Sequence, residues 1–278
     1  MILQIHKEKP PLGLVWYALT APALVAFVMA LWWQTQTPQR DFFLLLNHWA
    51  ANIPAAVWSI LTTLGDASVL FCVLSPLLVW RPRTMFAILA AVPLGGLLSV
   101  SLKAMFQAPR PATLIDPDQF NLIGPLLNNA SFPSGHTISA FAAAVALIAT
   151  LVLQARSSSR PVRIAATSLA ILALAALVGL SRVAVGAHWP VDVLAGAACG
   201  WLAGVSGAWV ARQYPKIWQA TISQFVVGQL LLLTALWLSL KKPEYALGAP
   251  AVWLAVACVL ATVVWQFASM YRRLKRRG

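Results

Sequence analysis

The stretch SRVAVGAHWPVD, residues 181–192, joins two long apolar runs at roughly 162–182 and 190–210. Each run has about the 20 residues that a helix rising 1.5 Å per residue needs to cross some 30 Å of hydrocarbon. Between them stand Arg182, His188 and Asp192. An ionisable side chain at membrane depth costs several kcal/mol unless it is paired or lines a cavity, so such a residue marks a functional site by default. The stretch therefore reads as the rim between two membrane-spanning helices, with chemistry at the rim.

The rest of the chain extends this pattern. Apolar residues fill 60% of its 278 positions and charged ones 10%, with mean hydropathy +0.77, whereas soluble domains are nearer 45–50% apolar. Hydropathy predicts eight spans, at roughly 13–33, 56–80, 84–104, 134–154, 162–182, 190–210, 221–240 and 249–270. The fold class is thus all-α, a polytopic membrane helix bundle. Lys7 and Lys9 precede the first run, which lacks a small-residue cleavage site and reads as an uncleaved span.

Charge placement orients the bundle. The N-terminus, the 81–83 turn, the 155–163 and 211–216 loops and the tail YRRLKRRG hold fourteen of the 20 Lys and Arg residues. By the positive-inside rule these segments, and both termini, are cytoplasmic. The net charge of +13 is accounted for by this arrangement, which argues against nucleic acid as a partner and for contact with anionic membrane lipids. Cys72, Cys199 and Cys258 lie inside apolar runs without metal-type spacing and read as small core residues. On the other side, residues 35–54 have the composition of a short interfacial helix or a loop. Residues 105–133 form the longest polar connection and contain Asp116 and Asp118, a pair more consistent with a solvated loop than with a cation site.

Three segments meet on that outer face. KAMFQAPRP supplies Lys103 and Arg110 at the exit of span three, SFPSGHT supplies Ser134, Gly135 and His136 at the entrance of span four, and the opening stretch supplies the third set. Arginine forks match phosphate oxygens, lysine adds a point charge, and free N–H groups at a helix start attract anions. Ser134 can cap that start, and Gly135 admits close backbone approach. His188 and Asp192 are four apart, so the carboxylate can hold one ring nitrogen and leave the other as a nucleophile. His136 is then the acid for the leaving oxygen. Asp66, alone within span two, reads either as support for the site or as a locally bonded structural carboxyl.

The pattern K-x6-RP, PSGH and SR-x5-H-x3-D resembles the three-part signature of the type 2 phosphatidic acid phosphatase family, which shares its site with vanadium haloperoxidases. Here it is carried by Lys103, Arg110 and Pro111, by Pro133 to His136, and by Ser181, Arg182, His188 and Asp192. The resemblance implies a six-helix phosphatase core within residues 1–211, followed by two further spans and a basic tail in 212–278. It implies a phosphohistidine on His188 oriented by Asp192, with His136 as acid, and a phosphate held by Lys103, Arg110, Ser134, Gly135 and Arg182. No metal or other cofactor is expected. The expected substrate is a lipid phosphate such as polyprenyl diphosphate (undecaprenyl diphosphate in a bacterium), phosphatidic acid, phosphatidylglycerol phosphate or a lipid A phosphate. Hydrolysis would take place at the periplasmic face of an inner membrane. A lipid phosphotransferase using the same intermediate, and a non-catalytic lipid transporter, are the alternatives.

Overall fold

The computed structural model describes residues 12–34, 39–154 and 161–275. Among them the chain is helical with no strand: α1 (Leu12–Gln34), α2 (Gln39–Ala50), α3 (Ala55–Gly65), α4 (Ala67–Val73), α5 (Leu77–Trp80), α6 (Pro82–Phe106), α7 (Pro111–Leu114), α8 (Gly135–Gln154), α9 (Pro161–Ala184), α10 (Pro190–Gln213), α11 (Pro215–Gln219), α12 (Thr221–Leu240) and α13 (Ala249–Lys275). Helices are the natural outcome for such runs, because in lipid every backbone polar group must find its partner within the segment. Proline at the first turn of α6, α9 and α10 sets their starts.

Six of the described helices, α6, α8, α9, α10, α12 and α13, are long and apolar enough to cross a membrane, where hydropathy predicts eight spans. A seventh is obtained if α3 and α4 count as one broken span. That pair corrects the expected uniform span at 56–80. The two helices are bent by 86°, with Asp66 at the break: its carboxylate accepts from the Ser68 and Val69 N–H groups and caps α4. Asp66 Oδ1 thus caps the bend as a local structural carboxyl does, and the same residue also borders both hollows that His136 lines.

α8 and α10 form the centre. Gly196, Gly200 and Gly204 on α10 face α8 so closely that a Cβ at Gly196 would lie 2.7 Å from the Ser134 carbonyl oxygen. Two of the three segments that carry the signature are thereby pressed together at one end of the bundle. α2 is a helix with Phe43, Asn47 and Ala50 buried. Asn47 donates to the Asn121, Val183 and Ala184 carbonyls and accepts from the Asn121 N–H. Phe43 meets Phe120 and Trp189 edge-on, each at 5.3 Å. These contacts pin the long polar connection over the end of α9 and the start of α10. At the far end of the chain, α12 and α13 pack on α4 and the start of α6 through Val69, Cys72, Met85, Leu231, Ala255 and Val259.

Candidate active site

The turn between α9 and α10 places His188 two residues before the start of α10 and Asp192 in its first turn. Both are buried. Asp192 Oδ2 lies 3.2 Å from His188 Nδ1 and accepts from the Trp189 N–H at 2.9 Å and the Ser131 hydroxyl at 2.5 Å. The opposite ring nitrogen, Nε2, is 3.2 Å from Arg110 Nη1. A guanidinium only donates, so Nε2 is the acceptor and the proton sits on Nδ1, facing the carboxylate. Burial holds His188 well below the usual imidazole value, and the charges of Arg110, Arg182 and Lys103 act the same way, as does the nearby His136. The ring is thus neutral, with its lone pair directed toward the cations.

The cations are anchored by different partners. Arg110 is 5% exposed and donates to the Asn129 side chain and carbonyl and to the Ala187 carbonyl. Lys103, half-buried, donates to the Ala130 and Ser131 carbonyls at 2.6 and 3.2 Å, which ties α6 to the segment preceding α8. Arg182 is 1% exposed; its Nη1 donates to the Thr62 hydroxyl and, at 3.0 Å, to the Tyr245 hydroxyl. Neither arginine meets a carboxylate within salt-bridge distance among the described residues. Buried cations without carboxylates are costly unless an anion arrives to compensate them.

Ser134 precedes α8 and is buried; its oxygen accepts from the Thr137 hydroxyl at 2.9 Å, and its N–H donates to the Asp192 carbonyl at 3.0 Å. It is the helix cap that its position predicts, and it couples α8 to the start of α10. Gly135 and His136 follow in the first turn. His136 lines a cavity of about 300 Å³ between α4, α6 and α8, walled by Gly65, Phe71, Ile88, Val92, Gly95 and Ile138. A smaller hollow that His136 also lines is bordered by Thr63, Asp66, Lys241 and Tyr245. Asp116 and Asp118 lie elsewhere, Asp116 accepting from the Asp118 N–H in a short turn.

A protein-family model, the PAP2 superfamily, matches residues 84–218. A Lipid A 1-phosphatase from Rhizobium etli is 32% identical over 179 residues, which cover 54% of this chain and 70% of the relative. The chain belongs to the PAP2 superfamily. Among solved structures, Aquifex aeolicus LpxE is 31% identical, with TM-score 0.48, covering 63% of this chain and 94% of that one. The first transmembrane PAP2-type phosphatidylglycerolphosphate phosphatase from Bacillus subtilis is 20% identical, with TM-score 0.52, covering 72% and 96%, and shares the fold.

This PAP2 chain is a multi-pass membrane protein and a hydrolase by family. All eight site residues read from the sequence lie inside the matched segment. Four contact residues escape a reading of the sequence: Ser131 on Asp192, Asn129 on Arg110, and Thr62 and Tyr245 on Arg182. Each is neutral and common, and Thr62 and Tyr245 stand outside the matched segment.

Proposed function

We propose that this PAP2 enzyme is an integral-membrane lipid phosphatase that works without a metal, through a phosphohistidine on His188. The observation that carries the reading is the two-sided hold on that ring: Asp192 and Ser131 at Nδ1, Arg110 at Nε2. The substrate phosphate takes Arg110 and Arg182 to its oxygens, with Lys103 and the start of α8 adding positive field. Nε2 attacks phosphorus, the bond from phosphorus to the lipid oxygen breaks, and His136 gives that oxygen its proton. Water then attacks the phosphohistidine and returns a proton to His136, so that inorganic phosphate leaves and His188 is restored. Preorganised cations around the equatorial oxygens supply most of the rate enhancement.

The cavity beside His136 suits an acyl chain entering between α4 and α6, with the headgroup meeting the cations. The catalytic end faces the periplasm or exterior and both termini are cytoplasmic, a reading supported by Arg83 and Arg212 coming together at the opposite end. Within lipid phosphates, the 1-phosphate of lipid A is the first substrate to assay, because the Rhizobium etli relative carries that name; polyprenyl diphosphate is the second. Purified enzyme in detergent should release phosphate from at least one member of such a panel. In ¹⁸O-water, label should appear in the released phosphate. Release from none of them, or transfer to lipid without label, would overturn the proposal.

A further inference from the structure

Arg182 is held from one side only. Its two hydrogen bonds both run from Nη1, to Thr62 and Tyr245. Its Nε is buried with no partner among the described residues. Its Cζ stands 5.7 Å from the centre of the Tyr245 ring, within cation–π reach. A guanidinium bonded only through Nη1, with Nε buried and unpaired, keeps unsatisfied donors on the edge that a forked arginine uses to bind two oxygens of an anion.

We propose that Tyr245, carried on the loop between α12 and α13, is a positioning residue of the phosphate site, which with Thr62 locks the Arg182 guanidinium in its binding orientation. The last two helices, outside the PAP2 match, are thereby a working part of the catalytic centre. The role of Arg182 in this proposal rests on the phosphatase reading above.

The surroundings are built to hold the ring. Tyr245 is 3% exposed and packs with Trp58, Ala184, Val185 and Ala187. Gly124, at φ +88°, lies against it, and a Cβ there would come within 2.6 Å of Tyr245 Cε1. Gly248, three residues on, docks on α3, where a Cβ would come within 2.8 Å of the Ser59 carbonyl oxygen. The same α3 carries Thr62, so one docking event delivers both halves of the clamp. Burial pushes the Tyr245 phenol above its usual value, which keeps the hydroxyl protonated while its oxygen accepts from arginine.

The test is Tyr245→Phe in the full chain, which keeps the ring and removes the hydroxyl. Orthovanadate is the probe, titrated calorimetrically into detergent-purified protein, beside kcat/KM on a lipid phosphate. Loss of a hydrogen bond to a charged group predicts a fall of about tenfold to a hundredfold in both, beside a small drop in thermal midpoint, since the bond from Arg182 to Thr62 remains. In an Arg182→Lys background the same change should add almost nothing. Wild-type vanadate affinity and kcat/KM in Tyr245→Phe, or a fully additive loss in the double variant, would overturn the clamp. Should the Phe variant fail to fold, Thr62→Val is read by the same criteria. If the wild type binds vanadate yet releases phosphate from no lipid, the phosphatase reading falls while the vanadate comparison still decides the clamp. If it binds no vanadate yet releases phosphate, the phosphatase reading stands and the kcat/KM comparison alone decides the clamp; if it does neither, both fall.

Discussion

Replacing Asp192 with Asn separates the charge of that residue from its shape. Oδ2 of Asp192 takes three donors, His188 Nδ1, the Trp189 N–H and the Ser131 hydroxyl, at 3.2, 2.9 and 2.5 Å. An Asn amide has two ways to fill this place. With its oxygen there, all three donors keep an acceptor, but the negative charge that the proposed phosphohistidine, a positively charged ring, would need beside it is gone. With its NH2 there, it faces the Trp189 N–H donor against donor and drives the His188 proton to Nε2, which removes the nucleophilic lone pair. In Ser-His-Asp enzymes the equivalent change lowers kcat by about 10⁴, or roughly 5.5 kcal/mol at 1.36 kcal/mol per decade. The same size is expected here, since the carboxylate and the ring stand in the same relation. The assay is phosphate release by purified Asp192→Asn, with acid- and alkali-quench trapping of the phosphoenzyme from labelled substrate. Intact thermal unfolding would show that the fold survives. Turnover within about tenfold of wild type would refute the idea that Asp192 sets the tautomer and charge of His188.

Arg182→Lys should lower kcat/KM by about 10²-fold or more, because a point charge replaces the planar fork and gives up its seat between Thr62 and Tyr245; phosphate-release kinetics check it. The downward shift of His188 by burial and by Arg110 has a definite sign: the ring stays neutral below the ordinary histidine value and is lost as nucleophile only when pH falls through the lowered one. The acid limb of kcat/KM should therefore lie below about pH 6.5, the unperturbed value, and a limb at or above it would contradict the assignment. Activity should persist in EDTA and be inhibited by orthovanadate, and a strict requirement for magnesium in the same assay would contradict metal-free catalysis.

Most of the helices were legible because lipid leaves the backbone no alternative: runs such as 135–153 and 190–213 are long and apolar, and proline marks several of their starts. The pairing of His188 with Asp192 was also legible, since four residues of separation across a helix start bring the two side chains together whatever the rest of the fold does. Span two was not. Its composition is continuous, and the 86° bend arises because Asp66 finds the N–H groups of α4 while Gly65 packs against Val178 and His136. GDAS carries a cap signal, but hydropathy averages over it.

The sequence by itself determined a membrane-embedded helical chain with cations and two histidines at one end, through hydrophobic length and local spacing alone. Only the tertiary structure decided what each cation is tied to: Arg110 to Asn129, Lys103 to the carbonyls before α8, and Arg182 to Thr62 and Tyr245, which are 120 and 63 residues away along the chain. A neutral hydroxyl or amide bears no mark of such a partnership in the sequence, because its hydrogen bond exists only once distant helices have packed.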